Sequence, residues 1–202
     1  MPLIRETIVT TAGPAGRVHM APLGLIADGE RWIIAPFRPS KTLDNLRDVP
    51  FAVANYTDDV RIFAGCLTGR DQWPTVSSDE IPVQRLAGAL AHAELAVDSV
   101  TEDEERPRFH CRVLHLATHA PFQGFNRAQA AVIEAAILVS RLDMVPREKI
   151  EREIAYLQIA VGKTAGAVEQ QAWQWLMERI GARYPGLGLP QGDHKGRPYS
   201  GV

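Results

Sequence analysis

Between Pro36 and Leu46 the chain gathers side chains able to hold an anion: Pro36-Phe37-Arg38-Pro39-Ser40-Lys41-Thr42-Leu43-Asp44-Asn45-Leu46. The two prolines keep Phe37 extended or in a turn and Arg38 out of the helical region, and Ser40 is a good N-cap for a helix over Lys41–Arg47. A helix start with unpaired N–H groups attracts an anion, and Arg38, Ser40, Lys41, Thr42 and Asn45 can add charge-assisted bonds to a phosphate. The same hydroxyls would also serve an ordinary surface helix as caps. Two residues nearby in the chain can move protons, His19 upstream and Asp58 downstream. Each has a plainer role, and for Asp58 it is to cap a helix beginning near Val60. Asn55 can offer an amide to a ligand's polar edge or simply end a strand.

These residues need a β-scaffold to bring them together. Val18–Ala27 and Trp32–Phe37 are apolar runs joined through Asp28-Gly29, a dipeptide suited to a tight antiparallel turn. Leu3–Thr11 reads as a strand before them and Phe51–Tyr56 as one after. Ala91–Glu102 and Phe109–Thr118 alternate in polarity across an acidic run, Glu102-Asp103-Glu104-Glu105, expected at a solvated hairpin tip. The count of about six strands suits a barrel. Val60, Ile62, Phe63 and Leu67 predict a short helix with Thr57 or Asp58 at its N-cap. Residues 69–82 read as loop with Trp73 as an anchor, and 81–90 as either helix or coil.

After Phe125 the period becomes helical. Asn126 is a candidate N-cap, and Ala130–Val139 carries one charge, Glu134, as a mostly buried helix would. Arg127, Glu134 and Arg141 share one stripe, which must face solvent, a partner or a polar ligand. A second helix follows Pro146, and a third contains Val168, Ala172, Trp175, Leu176 and Ile180. Gly162-Lys163-Thr164 echoes a phosphate-binding loop, but Leu157 stands where that motif needs glycine and a helix precedes it. Gly162 is therefore expected to stop the second helix, with Lys163 as a lesser candidate for a phosphate.

No metal site is expected unless the strand bends sharply. Cys111, His115 and His119 share one strand face, yet successive members lie about 13 Å apart on an extended chain, against ~2.0–2.3 Å metal bonds. His92 and His110 read as packing or surface residues.

With 202 residues, 46% hydrophobic and 23% charged, one ordinary globular domain is expected. A net charge of -2 gives no basic excess for nucleic acid or an acidic membrane. Cys66 and Cys111 are the two cysteines, too few and too far apart for a disulfide framework. No apolar run suggests an export signal or a membrane span, so a cytoplasmic location is expected. The Gly- and Pro-rich residues 183–202 are expected to form a flexible tail.

His19-Met20-Ala21-Pro22-Leu23-Gly24, Pro36-Phe37 with Ser40, Thr42, Asn45 and Leu46, and Asn55-Tyr56-Thr57-Asp58-Asp59 occur in that order. So spaced, and followed by Gly124-Phe125-Asn126-Arg127-Ala128 with Glu134 and Arg141-Leu142, they resemble an uncharacterised family of FMN-binding split-barrel flavoproteins. That family is related to the flavin reductases and occurs in methanogens and one-carbon-metabolising bacteria; the likeness spans roughly residues 3–180. The resemblance implies an α+β fold. An antiparallel split β-barrel over residues 1–122 would be followed by a helical segment, 123–182, packed on the barrel or on a partner subunit. It also implies a homodimer with FMN near the interface. The cofactor-binding candidates are His19, Met20, Ala21, Pro22, Arg38, Ser40, Thr42, Asn45, Asn55, Thr57, Asp58 and Arg127. An FMN-dependent oxidoreductase acting on a small planar metabolite, such as a pterin of one-carbon metabolism, is the leading expectation. The alternatives are a flavin-binding protein without turnover, a barrel using another phosphate-bearing cofactor such as pyridoxal phosphate or a deazaflavin, and a ligand-free interaction module.

Overall fold

Strands that alternate in polarity bury one face, and closing the sheet lets all of those faces meet. In the computed structural model, which describes residues 2–185, six strands do this. They are β1 (Ile4–Ala12), β2 (Val18–Asp28), β3 (Arg31–Ile34), β4 (Phe51–Tyr56), β7 (Ala91–Thr101) and β8 (Arg108–Thr118). They close an antiparallel barrel in the order β1-β2-β3-β8-β7-β4. Every strand contributes to the interior: Val9, Leu25, Ile34, Ala52, Ala54, Ala93, Leu95, Phe109 and Cys111 form one buried cluster, joined by Leu43 and Leu46 of helix α1 (Lys41–Asp48). The β2–β3 turn uses Gly29 at φ 63°, a backbone region open to glycine at little cost. The third strand ends at Ile34 rather than Phe37, because Pro36 and Pro39 withdraw backbone donors from the ladder.

The outer face of β1, β4 and β7 is buried too. Helix α2 (Val60–Leu67) and the segment that follows it lie over this face. The segment carries only a two-stranded ribbon, β5 (Thr75–Val76) with β6 (Arg85–Leu86), and residues 81–90 form no helix. Ile8, Met20, Ile62, Phe63, Leu86 and Ala89 make one contact cluster, and Ala12, Val53, Ile81 and Val83 another. Gly65 lets the chain return against α2, since a Cβ there would lie 2.6 Å from the Arg70 carbonyl oxygen.

Three further helices, α3 (Arg127–Val139), α4 (Arg147–Thr164) and α5 (Ala167–Arg183), pack with Val60 and Ala64 of α2 around Val132, Ala135, Ile150, Leu176 and Ile180. Ile133 reaches the Ile8 cluster. The helical segment therefore packs on its own barrel. Asn126 caps α3 as expected, accepting from the backbone N–H groups of Ala128 and Gln129. Gly162 does not stop α4, which runs on to Thr164, and its cost inside a helix is only about 1 kcal/mol. Arg183 bonds Asp143 at 3.0 Å and the Tyr184 hydroxyl donates to the Leu142 carbonyl at 2.8 Å, so the chain is anchored to that point. Residues 186–202, the rest of the expected tail, lie outside the described residues. No helix among the described residues is long and apolar enough to cross a membrane. Both cysteines are free, and burial pushes each thiol up to about 12.

Candidate functional site

Ser40 has the extended backbone of an N-cap, and its Oγ accepts from the Leu43 N–H at 3.3 Å. Lys41, the first helical residue, is exposed and has no ion-pair partner among the described residues. Thr42 points into the protein and is buried. Asn45, one turn along, donates from Nδ2 to Thr11 Oγ1 at 3.0 Å, which ties α1 to the end of β1. Thr11 pairs with His19 across the β1–β2 ladder. His19 is half-buried; burial first, and then the Lys41 charge, hold its pKa below the ordinary 6.5, against a smaller opposing pull from Asp71. The imidazole is thus neutral near pH 7 and stands within electrostatic reach of the helix start. Met20 is buried, while Ala21 and Pro22 are half-buried on β2 opposite Val9 and Ile8.

The structure gives several other candidates different work. Arg38 turns to the β7–β8 tip, pairing with Glu102 and donating to the Asp103 carbonyl at 3.2 Å. Arg47 joins the same Glu102 at 2.9 Å, so the acidic run is an ion-paired corner rather than a purely solvated tip. The side chain of Asn55 is fully buried. It donates to the Ile8 carbonyl at 2.9 Å and accepts the Leu86 N–H at 2.7 Å, which leaves no amide edge facing solvent. Thr57 accepts from the Asp59 N–H. Asp59, not Thr57 or Asp58, caps α2 and also holds Arg61 through both carboxylate oxygens. Freed of capping, Asp58 stays half-buried with no side-chain hydrogen bond among those described.

Arg127 opens α3, exposed. It forms no pair with Glu134 among the described residues, since seven helical residues separate them by about 10 Å. Glu134 and Arg141 instead act on Glu6 at the start of β1, whose pKa is raised by burial, then by Glu134, with Arg141 opposing. Glu134 also borders a cavity of about 470 Å³ with Arg152, Glu153, Tyr156 and Leu157. A second concavity lies beside Leu67, Arg70 and Trp175. Neither is lined by β2 or α1.

Sequence reasoning took His92, His115 and His119 singly and missed that they meet around Glu94. His92 and Glu94 are wholly buried on the outer face of β7, under residues 68–90. Glu94 accepts from the backbone N–H groups of Asp79 at 2.7 Å and Glu80 at 2.8 Å, and its Oε1 is 3.1 Å from His92 Nε2. His92 Nδ1 is 2.9 Å from His119 Nε2, the two rings stacked. His115 lies opposite Glu94 in the ladder, where a register shift skips Leu114. The signal was the alternation His92, Glu94 on a strand expected to be half-exposed; what hid it was the cross-strand register.

A family model described as the N-terminal domain of a protein of unknown function, DUF447, matches residues 5–120, and a second model of that name matches 126–178. The chain belongs to the DUF447 family. Among solved structures, the chain is similar to the FMN-bound DUF447 protein MM1853 of Methanosarcina mazei, at 22% identity and a TM-score of 0.78 over 89% of this chain and 96% of that one. It is also similar to a nitrilotriacetate monooxygenase component B homologue of Mycobacterium thermoresistibile. There the identity is 15% and the TM-score 0.51, covering 60% of this chain and 73% of that one. At these identities the likeness is one of fold, and that fold is the FMN-binding split barrel with C-terminal helices. No curated protein matches the chain.

Proposed function

We propose that this DUF447 protein binds FMN, with the phosphate at the start of α1, and works as an oxidoreductase on a small planar metabolite. The observation that carries the reading is an exposed Lys41, without an ion-pair partner among the described residues, at a Ser40-capped helix start within electrostatic reach of the neutral His19. A helix N-terminus with an adjacent ammonium suits a phosphate monoester. The sequence has no G-x-G-x-x-G unit that would suit a dinucleotide, which favours FMN over FAD. The bound relative MM1853 points the same way.

When bound, FMN supplies the hydride chemistry, and the protein supplies position and electrostatics. Lys41 and the first α1 N–H groups would hold the phosphate, and Asn45 fixes that helix to β1 through Thr11. Neutral His19 can accept a proton at its free ring nitrogen, and Asp58 offers a carboxylate not committed to a cap. A pterin of one-carbon metabolism remains the proposed substrate, by association with the organisms in which similar proteins occur.

The same proposal includes a homodimer and a cytoplasmic setting. Along β8 and the chain after it, Leu116, Phe122 and Phe125 expose 65%, 56% and 101% of their surface, an apolar strip that a second copy would cover. A monomer at micromolar concentration by analytical ultracentrifugation, with flavin fully bound, would remove the dimer.

The visible spectrum of the protein purified without additives tests the cofactor. A flavin absorption pattern released as FMN is expected; a pyridoxal phosphate or deazaflavin spectrum would replace it, and colourless protein unmoved by added FMN would leave an interaction module. Anaerobic reoxidation of the reduced protein by pterins, flavins and quinones tests turnover. If none exceeds buffer, the non-catalytic flavin-binding reading stands instead.

A further inference from the structure

Two imidazoles and two carboxylates from three separate segments converge on one point of the barrel's outer face: His92 and Glu94 on β7, His115 on β8, and Asp79 on the covering segment. One donor atom from each lies within 4.8 Å of all the others. We propose that these four residues bind a divalent cation of the zinc class, joining residues 68–90 to the β7–β8 ladder.

The distances carry the argument. Ligand atoms held at ~2.0–2.2 Å from one zinc ion in a tetrahedral site lie about 3.3–3.6 Å from each other. His92 Nε2 to Glu94 Oε1 is 3.1 Å, and His115 Nε2 to Asp79 Oδ2 is 3.4 Å, so each pair is already close to the spacing of neighbouring ligands. The set divides into a fixed half and an adjustable half. His92 and Glu94 are fully buried, whereas the side chains of His115 and Asp79 are 35% and 62% exposed and can close the remaining gap. Two carboxylates balance a divalent charge, and a nitrogen–oxygen donor set suits zinc or a neighbouring first-row ion better than calcium or magnesium.

The surroundings match what a metal-bound imidazole requires. If His92 Nε2 takes the metal, its proton leaves and Nδ1–H donates to His119 Nε2, 2.9 Å away. Such an outer partner fixes the tautomer and orientation of a liganding histidine. Glu94 is likewise oriented from outside, through the N–H groups of Asp79 and Glu80. The register shift beside Glu94 places His115 on the same face, as bulges do when they re-aim a side chain. The arrangement that needs no ion has His119 donating to His92 and His92 donating to Glu94. It uses the same contacts, and zinc titration separates the two.

Full-length protein stripped with a chelator and titrated with zinc chloride by calorimetry should bind one zinc ion per chain and gain thermal stability. His115→Ala and Asp79→Ala, both at the rim, should each weaken zinc about 10-fold or more while the metal-free melting temperature and FMN affinity hold. Cobalt substituted for zinc should give the visible bands of a low-coordinate site in the wild type and lose them in both variants. No zinc binding at micromolar concentration, or binding equal in the wild type and both variants, would overturn the proposal. His92→Ala is the weaker test because it also opens a buried site. Neither outcome bears on FMN, whose proposed residues, Lys41 and the α1 start with His19 and Asp58, are none of these four.

Discussion

The start of α1 and the outer face of β4 and β7 are built from similar polar residues and use them in opposite ways. Under residues 68–90, most of the buried polar groups hold the chain, with Arg85 Nε the exception among the described residues. Asn55 bridges Ile8 and Leu86, the Thr10 hydroxyl donates to the Gln84 carbonyl at 2.8 Å, and Glu94 takes two backbone N–H groups. At the α1 start, Lys41 is unpaired among the described residues and His19 is neutral beside it. Buried polar groups must be satisfied or the fold loses stability. A group left with spare bonding capacity at a rim is the one available to a ligand. The difference teaches that the type of residue does not mark the proposed site; its unspent capacity does.

The comparison can be broken first where the effect is greatest. Asn55→Ala should leave the Leu86 N–H and the Ile8 carbonyl short of a partner inside the protein, at a cost of about 2–4 kcal/mol in urea unfolding. A loss below about 0.5 kcal/mol would mean that the covering segment does not depend on it. Ser40→Ala should cost about 1 kcal/mol, with a moderate loss of FMN affinity because the cap positions the helix start. A pH series probes the same rim. The His19 pKa is lower in the folded protein than its ordinary 6.5, so the unfolded chain takes up its proton first. Stability from this group is full above about 6.5 and is lost as pH falls through the folded value. His19→Asn should flatten that part of the profile, and an unchanged profile would show the imidazole to be unperturbed. Smallest of all, Arg38→Ala breaks pairs that are largely exposed. It should cost no more than about 1 kcal/mol and leave FMN binding as it was, whereas a large drop in FMN affinity would return Arg38 to the phosphate site.

Local chemistry made the barrel legible. Asp28-Gly29, the Ser40 and Asn126 caps and the period-two strands each state a structure within a few residues, and the corresponding elements formed with nearly those bounds. The illegible parts depend on contacts distant in sequence. Residues 81–90 take their shape from Asn55 and Ile8 rather than from their own period. Gly162 stays helical because the chain packs into the helical core through Ile154 and Val161 before it and Ala165 after it. The one-strand argument against metal ligands put Cys111, His115 and His119 on one face, but the register shift at Leu114 turns His115 outward while Cys111 stays inside the barrel. It could not see His115 meeting Glu94 across the ladder. At the α1 start, types and spacing announced an anion site, but only the fold could show that Arg38 and Asn55 were already engaged.

The central claim is that Lys41, the cation at the α1 start with no ion-pair partner among the described residues, is a phosphate holder. Parallel titrations of FMN and riboflavin against wild type and Lys41→Ala test it most directly, because the two ligands differ only in the phosphate. Wild type should bind FMN at least about 10-fold more tightly than riboflavin, a difference of about 1.4 kcal/mol, and Lys41→Ala should lose most of that preference while riboflavin affinity and melting temperature hold. Equal affinity for the two ligands in the wild type, or a preference untouched in Lys41→Ala, would contradict it.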